Sequence, residues 1–247
     1  MKSIGLLVLL TIGIAPGAFA QELKVLDYQD RSQKLKGLIT DNAGSSESAV
    51  LILPAWKGID EEAKDAAISL AKTGYVAMIA DIYGEGQLPA DNTAAAKLSS
   101  SYKTDFLAYQ HRIQLALDEL KKQGAKQIAI IGYCFGGTGA LEAARGGLDV
   151  LAVVCIHGSL SKASDRHNNP IQTKVLVQHP AADESVKKEH YDGLVQELNE
   201  GGADWQIITY ANSKHTFTNP KSADYNEVMA KRAWNHLLLF LKEVLNN

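Results

Sequence analysis

A single cysteine stands in a glycine pattern that is typical of a catalytic nucleophile. The segment GYCFG places glycines two residues before and two residues after Cys134, directly after the apolar run 127–132. A helix is predicted to open near Gly136, so the cysteine falls at a strand-to-helix junction, the position of a nucleophile elbow. The N-terminus of that helix would favour a thiolate. A buried, inert cysteine in a glycine-rich turn is the alternative, but a chance match at such a junction is rare.

A carboxylate that could serve this cysteine follows it along the chain. In a nucleophile-elbow protein the order is nucleophile, acid, histidine. Asp183 lies just after the predicted strand 174–178, where such an acid belongs, and Glu184 is the second choice. Because a helix is predicted from residue 184, Asp183 could also be its N-cap, and the two roles could hold together.

Three histidines follow Asp183, and one of them stands at the carboxyl end of a predicted strand. His190 and His236 fall within predicted helices, whereas His215 follows the predicted strand 205–210. In an open parallel sheet, functional groups collect at the carboxyl ends of the strands. His215 is therefore the predicted base, against the alternative of a solvated loop histidine.

Apolar runs and amphipathic stretches alternate along the chain, which is typical of a parallel sheet covered by helices on both faces. The predicted strands are 49–53, 75–80, 127–132, 150–156, 174–178 and 205–210, after a hairpin or pair of edge strands within 24–40. The predicted helices are 61–73, 104–122, one opening near 136, 184–198 and about 223–245. A long loop that includes a little helix is predicted over about 84–101. Asp60 is the predicted N-cap of the first helix and Gly74 its predicted C′ glycine. We find no interdomain linker and predict one α/β domain over residues 21–247.

The composition excludes several classes of function. The 247 residues are 46% apolar and 21% charged, which are the values of a folded globular domain and exclude a largely disordered chain. A net charge of −3 without a basic block argues against nucleic acid or an anionic membrane surface as the main partner. We find no phosphate-binding loop, no dinucleotide glycine pattern and no histidine spacing typical of a metal site, so we expect neither cofactor nor metal.

The first twenty residues have the pattern of a secretory signal peptide. Lys2 precedes the apolar run 4–14, and the small-x-small sequence AFA ends at Ala20. The run is too short to span a bilayer. We expect cleavage after Ala20 and an exported domain, periplasmic or secreted, without membrane attachment.

The chain has two cysteines, too few for a disulfide scaffold. Cys155 lies on the predicted strand 150–156, where its side chain should point into packing. We therefore expect a buried structural cysteine rather than a disulfide with Cys134.

These residues together resemble the dienelactone hydrolase family of α/β-hydrolases over roughly residues 46–245. The resemblance is carried by GYCFGG around Cys134, the segment DIY that ends at Tyr83, Asp183 after its strand, and HTFTNP beginning at His215. It implies an α/β-hydrolase fold, with a mostly parallel central sheet and helices on both faces.

The resemblance also implies roles. Cys134 would be the nucleophile, His215 the base and Asp183 the acid that orients it, in the hydrolysis of an ester or lactone through a covalent thioacyl intermediate. The oxyanion hole would consist of the backbone N–H groups of Phe135 and Trp56.

The chain departs from the family pattern in two places. The hydrolases of acidic lactones carry a glutamate in the loop after the first core strand, where this chain reads PAWKG. They also carry an arginine a few residues after the catalytic histidine, where this chain has Asn219. The departures favour a neutral or apolar acyl group, with Trp56 and Tyr83 at the mouth of the site. His157, at the end of its strand, either lines this pocket or has a capping role.

A protein of another class remains the alternative: a non-catalytic, exported ligand-binding or interaction protein on the same fold. The absent glutamate motivates this alternative, and the complete set Cys134, Asp183 and His215 argues against it. A thioesterase or a peptidase would use the same triad. The expected partner is a small-molecule ester or lactone, and the expected assembly is a monomer or homodimer.

Overall fold

A computed structural model describes residues 22–245. The strands are β1 (Leu23–Asp30), β2 (Gln33–Thr40), β3 (Ser48–Leu53), β4 (Val76–Ile79), β5 (Gln127–Tyr133), β6 (Ala152–Ile156), β7 (Lys174–Pro180) and β8 (Trp205–Tyr210). The helices are α1 (Glu61–Lys72), α2 (Asn92–Thr104), α3 (Phe106–Lys122), α4 (Phe135–Arg145), α5 (Lys188–Glu200) and α6 (Glu227–Leu245). The predicted signal peptide, residues 1–20, lies outside the described residues.

The eight strands form one sheet in the order β1-β2-β4-β3-β5-β6-β7-β8. The N-terminal hairpin β1–β2 is antiparallel and joins the sheet through an antiparallel pairing of β2 with β4. All remaining pairs are parallel. The predicted class, a mostly parallel α/β sheet with a preceding hairpin, is confirmed.

Helices cover both faces of this sheet because successive strand residues point to opposite sides. On β3, Leu51 and Leu53 pack in the cluster that includes α3, α4 and α5. Val50 and Ile52 pack in the cluster with α1 and α6. All four side chains are fully buried, which explains why the strand reads as one continuous apolar run.

Two predicted boundaries are wrong in ways that bear on the site. The expected loop over 84–101 contains most of α2, which begins at the N-cap Asp91, whose side chain accepts from the Ala94 amide. Ala95 and Ser99 are the buried residues of α2, so its sequence carries almost no apolar period. Helix α5 begins at Lys188, four residues later than expected.

The register aligns the carboxyl ends of the central strands at one edge. Leu53 of β3 is level with Gly132 of β5, and Tyr133 is level with Ile156 of β6. The loops that follow β3, β5, β6, β7 and β8 therefore meet at this edge. No helix within residues 22–245 is long and apolar enough to cross a membrane.

Candidate active site

The turn between β5 and α4 holds Cys134 in a backbone conformation that side chains rarely adopt. Its φ is 53° and its ψ is −112°, and α4 begins at the next residue. A Cβ on Gly132 would meet the Gly136 carbonyl oxygen at 2.0 Å, and a Cβ on Gly136 would meet the Leu53 carbonyl oxygen at 2.0 Å. The two glycines are needed because the turn closes on itself and presses against the end of β3.

His215 makes contact with both Cys134 and Asp183. Its Nε2 lies 3.1 Å from the Cys134 Sγ, and its Nδ1 lies 2.7 Å from Asp183 Oδ2. Cys134 is partly exposed at the surface. In this geometry an imidazole can take the thiol proton at one nitrogen while the carboxylate holds the other nitrogen.

The pKa shifts within this group favour a charged pair. Burial alone would lower the pKa of His215, but its hydrogen bonds to Asp183 and Cys134 outweigh burial and raise it to about 10. Burial likewise opposes ionisation of Asp183, yet the hydrogen bonds from His215 and Ser185 lower its pKa to about 2. The imidazolium and the carboxylate are therefore the stable forms at neutral pH.

Asp183 lies in the loop of residues 181–187, between β7 and α5, and it is not the N-cap of a helix. Lys187 occupies that position, so the N-cap alternative is wrong. Asp183 Oδ1 accepts from the amide and hydroxyl of Ser185 at 2.9 and 2.6 Å, which leaves Oδ2 for His215. Glu184, the second choice for the acid, is exposed.

His215 belongs to the segment of residues 211–226 between β8 and α6, here called the base loop. Phe217 anchors this loop: it is fully buried, and its ring stacks on Tyr210 at 5.2 Å between centroids. The Asn226 amide donates to the Phe217 carbonyl at 3.0 Å and closes the loop at its far end. One apolar side chain thus fixes the position of a histidine two residues away.

The amides of Phe135 and Trp56 come from the first turn of α4 and from the loop after β3. Neither N–H has a hydrogen-bond acceptor among residues 22–245. Tyr83 supports both segments, since its hydroxyl donates to the Trp56 carbonyl at 2.8 Å and its ring stacks on Phe135 at 5.7 Å.

An apolar pocket of about 230 Å³ adjoins these residues. Its lining includes Ala55, Ile59, Tyr83, Leu88 and Phe135. The ion pair between Lys36 and Glu85 lies at its edge, so the cation there is already neutralised. The pocket fits a small uncharged group better than an anion.

Of the two roles expected for His157, lining the pocket or capping, the first does not hold for this pocket, because His157 is buried and is not among its lining residues. Its side chain is 2% exposed, and both ring nitrogens bond to the protein. Nδ1 accepts from the Cys134 amide at 3.1 Å, and Nε2 lies 2.9 Å from Thr218 Oγ1. The ring lies beneath the elbow because the residue turns inward at the end of β6, where its φ is 40°.

Two residues of the site were missed from the sequence. Thr218 Oγ1 donates to Glu62 Oε1 at 2.6 Å, which links the base loop to the first turn of α1. In the sequence Glu62 reads as an ordinary acidic residue at a helix N-terminus. The available signal was its spacing: it precedes Ala63, Ala66 and Leu70, which face the core, by one, four and eight residues.

The second cysteine lies away from this chemistry. Cys155 is fully buried on β6, and burial raises the pKa of its thiol to about 12. Both cysteines are free. No group of three or more His, Cys, Asp or Glu side chains in the described part of the chain could hold a metal ion.

Comparison with known proteins identifies the family. The model of the dienelactone hydrolase family matches residues 35–245. A probable 2-oxo-3-(5-oxofuran-2-ylidene)propanoate lactonase of Bradyrhizobium sp is 28% identical over 207 residues, which cover 78% of this chain and 83% of that protein.

Solved structures agree with this match. The crystal structure of a dienelactone hydrolase-like promiscuous phosphotriesterase from metagenomic libraries superposes with a TM-score of 0.84 at 30% identity, covering 91% of this chain and 99% of that one. An esterase of Pyrococcus furiosus, 14% identical with a TM-score of 0.68 over 91% of this chain and 93% of that one, shares the fold. The chain belongs to the dienelactone hydrolase family, whose members are α/β-hydrolases that act on small molecules.

Proposed function

We propose that this protein hydrolyses carboxylic esters or lactones through Cys134, His215 and Asp183. One observation carries the proposal: a single imidazole lies 3.1 Å from the Cys134 sulfur and 2.7 Å from the Asp183 carboxylate. The family membership supports hydrolysis, and the assignment of the roles to these residues is our own.

In the proposed first step, Cys134 attacks the substrate carbonyl carbon as a thiolate paired with the His215 imidazolium. The negative charge that develops on the carbonyl oxygen is stabilised by the amides of Phe135 and Trp56. The carbon–oxygen bond of the ester then breaks, His215 protonates the departing alkoxide, and a thioester to Cys134 remains. In a lactone the same bond opens the ring.

In the second step, a water molecule gives a proton to His215 and attacks the thioester. The tetrahedral intermediate collapses, the carboxylic acid leaves, and the Cys134 thiolate is restored beside the His215 imidazolium. Asp183 stays ionised and holds the imidazole in the required tautomer. The balance is one water consumed for each ester or lactone cleaved.

The apolar pocket supports a neutral, small acyl group as the preferred substrate. Its cation, Lys36, is paired with Glu85, and Asn219 stands where an arginine would be needed to hold a substrate carboxylate. We therefore expect uncharged short-chain esters and lactones to be hydrolysed faster than anionic dienelactones.

The experiment is p-nitrophenyl acetate hydrolysis by the wild type and four single variants. Cys134→Ala and His215→Ala should lower kcat/KM by at least about a thousandfold, because the two residues act as one unit. Asp183→Asn should lower it on the order of a hundredfold or more, because the wrong tautomer is then favoured. Cys155→Ala is the matched control for loss of a thiol and should retain activity.

A folded wild type with no turnover on neutral esters or lactones would contradict the hydrolase proposal. A non-catalytic ligand-binding protein would then be the favoured alternative. Activity that survives in Cys134→Ala would instead rule out the thioacyl mechanism but not hydrolysis.

We also propose that the protein is exported and cleaved after Ala20, on the basis of the basic, apolar and small-residue order in residues 1–20. Expression of the full gene in a bacterial host should give a protein outside the cytoplasm whose measured mass corresponds to a chain beginning at Gln21. A full-length product that stays in the cytoplasm would contradict export.

A further inference from the structure

The first turn of α1 carries a buried carboxylate beside the proposed site. Glu62 is 9% exposed, whereas its neighbour Glu61 is largely exposed and pairs with Lys64. Glu62 Oε1 accepts from the Thr218 hydroxyl at 2.6 Å. Because Thr218 follows His215 by three residues, this bond ties α1 to the base loop.

The hydrogen bonds continue from Thr218 to the nucleophile, and their direction is fixed. The Cys134 amide can only donate, so His157 Nδ1, 3.1 Å away, must accept and carry no proton. The proton of the neutral ring is then on Nε2, which donates to Thr218 Oγ1 at 2.9 Å. The Thr218 hydroxyl proton is therefore free to point to Glu62.

This series of hydrogen bonds ends at the backbone amide of Cys134, which lies in a strained turn. Cys134 and His157 both have positive φ, 53° and 40° respectively. Such conformations are strained and persist only when the surroundings hold them. The Cys134 amide has a second acceptor, the Ile156 carbonyl at 3.0 Å, so the end of β6 and the ring of His157 hold the elbow together.

His157 stays in the required neutral form. Burial and the neighbouring charge of His215 lower the pKa of His157 to about 3. The two rings are 5.3 Å apart between centroids. Nδ1 therefore remains an acceptor for the Cys134 amide over the physiological pH range.

We propose that Glu62, acting through Thr218 and His157, is a positioning residue that holds Cys134 against His215. The Asp183–His215 pair contacts the nucleophile at its sulfur, whereas this second series of hydrogen bonds contacts it at its backbone amide. The positioning role rests on the proposed hydrolase function only in its predicted effect on turnover. The reactivity of the Cys134 thiol reports the positioning without any ester substrate.

The first test measures alkylation of the full chain by iodoacetamide at pH 7, followed by mass spectrometry. Cys155 is fully buried, so the rate reports Cys134. Thr218→Val should lower the second-order rate by about tenfold or more, since small displacements of reacting groups have effects of this order. Thr218→Ser keeps the hydroxyl and should restore most of the rate. Thr73→Val, which removes a threonine hydroxyl at the end of α1, is the control.

The second test measures kcat and KM separately for the Thr218→Val variant. None of the three hydrogen-bonded residues, Glu62, Thr218 and His157, lines the apolar pocket beside Phe135. Thr218→Val should therefore lower kcat for p-nitrophenyl acetate while KM stays close to the wild-type value. A general loss of structure would instead lower the fraction of active protein and the melting temperature.

The outcomes separate this inference from the proposed function. If folded Thr218→Val alkylates and turns over like the wild type, or if Thr218→Ser is equally slow, the positioning role is overturned. If the wild type hydrolyses no ester but Thr218→Val is still selectively slow to alkylate, positioning stands and the proposed function fails.

A second pair of variants decides the question if Thr218→Val does not fold. Glu62→Gln keeps an oxygen that can accept from Thr218 and should alkylate nearly as fast as the wild type. Glu62→Ala removes the acceptor and should be slower by about tenfold. Equal alkylation rates for the two variants would overturn the proposal.

Discussion

The imidazole of His215 shows how single contacts set the pH range of the site. The pKa of Asp183 is lowered to about 2, so its contribution to stability is complete above its ordinary value of 3.8 and is lost as the pH falls through 2. The pKa of His215 is raised to about 10, so its contribution is complete below 6.5 and is lost as the pH rises through 10. The pair therefore stabilises the fold most between these ordinary values.

The pKa of Glu62 is shifted in the opposite direction from that of Asp183, because burial raises it to about 7 from an ordinary 4.5. The groups that face it are Asp60 at the N-cap of α1, Tyr133 on β5, and Thr218, Asn219 and His215 on the base loop. Its protonated form is favoured in the folded protein, so this contribution is complete below pH 4.5 and is lost as the pH rises through 7.

Glu62→Gln should remove that pH dependence. The free energy of unfolding of the wild type should fall by up to about 3 kcal/mol relative to Glu62→Gln between pH 4.5 and 7. Urea unfolding of both proteins at several pH values measures the difference. Parallel curves over this range would show that Glu62 ionises in the folded protein much as it does in water.

Among the elements, the junction of β5 and α4 tolerates the least change. The helix starts so close to the end of β3 that a Cβ at position 136 would meet the carbonyl carbon and oxygen of Leu53 at 2.5 and 2.0 Å. Both contacts are with backbone, which cannot rotate away. The elbow is therefore set by the approach of three backbone segments as well as by the nucleophile itself.

Gly136→Ala should lower the free energy of unfolding by at least about 2 kcal/mol, because backbone must shift to admit the methyl group. Gly193→Ala in α5 is the matched control, since a Cβ there meets nothing within 4 Å. That change should be neutral or stabilising by up to about 1 kcal/mol. Chemical denaturation of the two variants measures both effects, and equal stabilities would contradict the close approach.

At the scale of the whole molecule, a buried ionic cluster joins the nucleophile helix to its neighbour. Arg145 of α4 donates to both carboxylate oxygens of Glu197 on α5, at 3.0 and 2.8 Å, and to Glu142 at 2.9 Å. All three side chains are at most 5% exposed. The cluster also donates to the Leu160 carbonyl and so holds the segment after β6.

Arg145→Met should destabilise the protein by about 3 kcal/mol, because two buried carboxylates lose their most buried cationic partner and keep only Arg166 on Glu142 and Lys162 on Glu197. Lys188→Met is the control: it breaks an exposed pair with Asp192 and should cost no more than about 1 kcal/mol. Thermal and urea unfolding give the comparison. Similar losses for the two variants would show that water or rearrangement compensates the buried carboxylates.

The sequence predicted the parallel sheet because each central strand is buried on both faces and reads as an unbroken apolar run, as in Val50 to Leu53. It also predicted which residues follow those strands, including Cys134, Asp183 and His215, since the carboxyl ends of parallel strands share one edge. It missed α2, whose small and polar residues have no apolar period. It placed the start of α5 too early because Asp183 resembles a helix cap in a local pattern.

The tertiary structure alone decided how those residues meet and what lies beneath them. A one-dimensional pattern does not contain the 2.7 Å contact of His215 with Asp183, or the inward turn of His157 below the elbow. Glu62 and Thr218 are 156 residues apart in the chain and touch only after α1 and the base loop have folded onto the same sheet edge. Local propensities and periodicity act over a few residues, whereas this contact is fixed by the packing of the whole sheet.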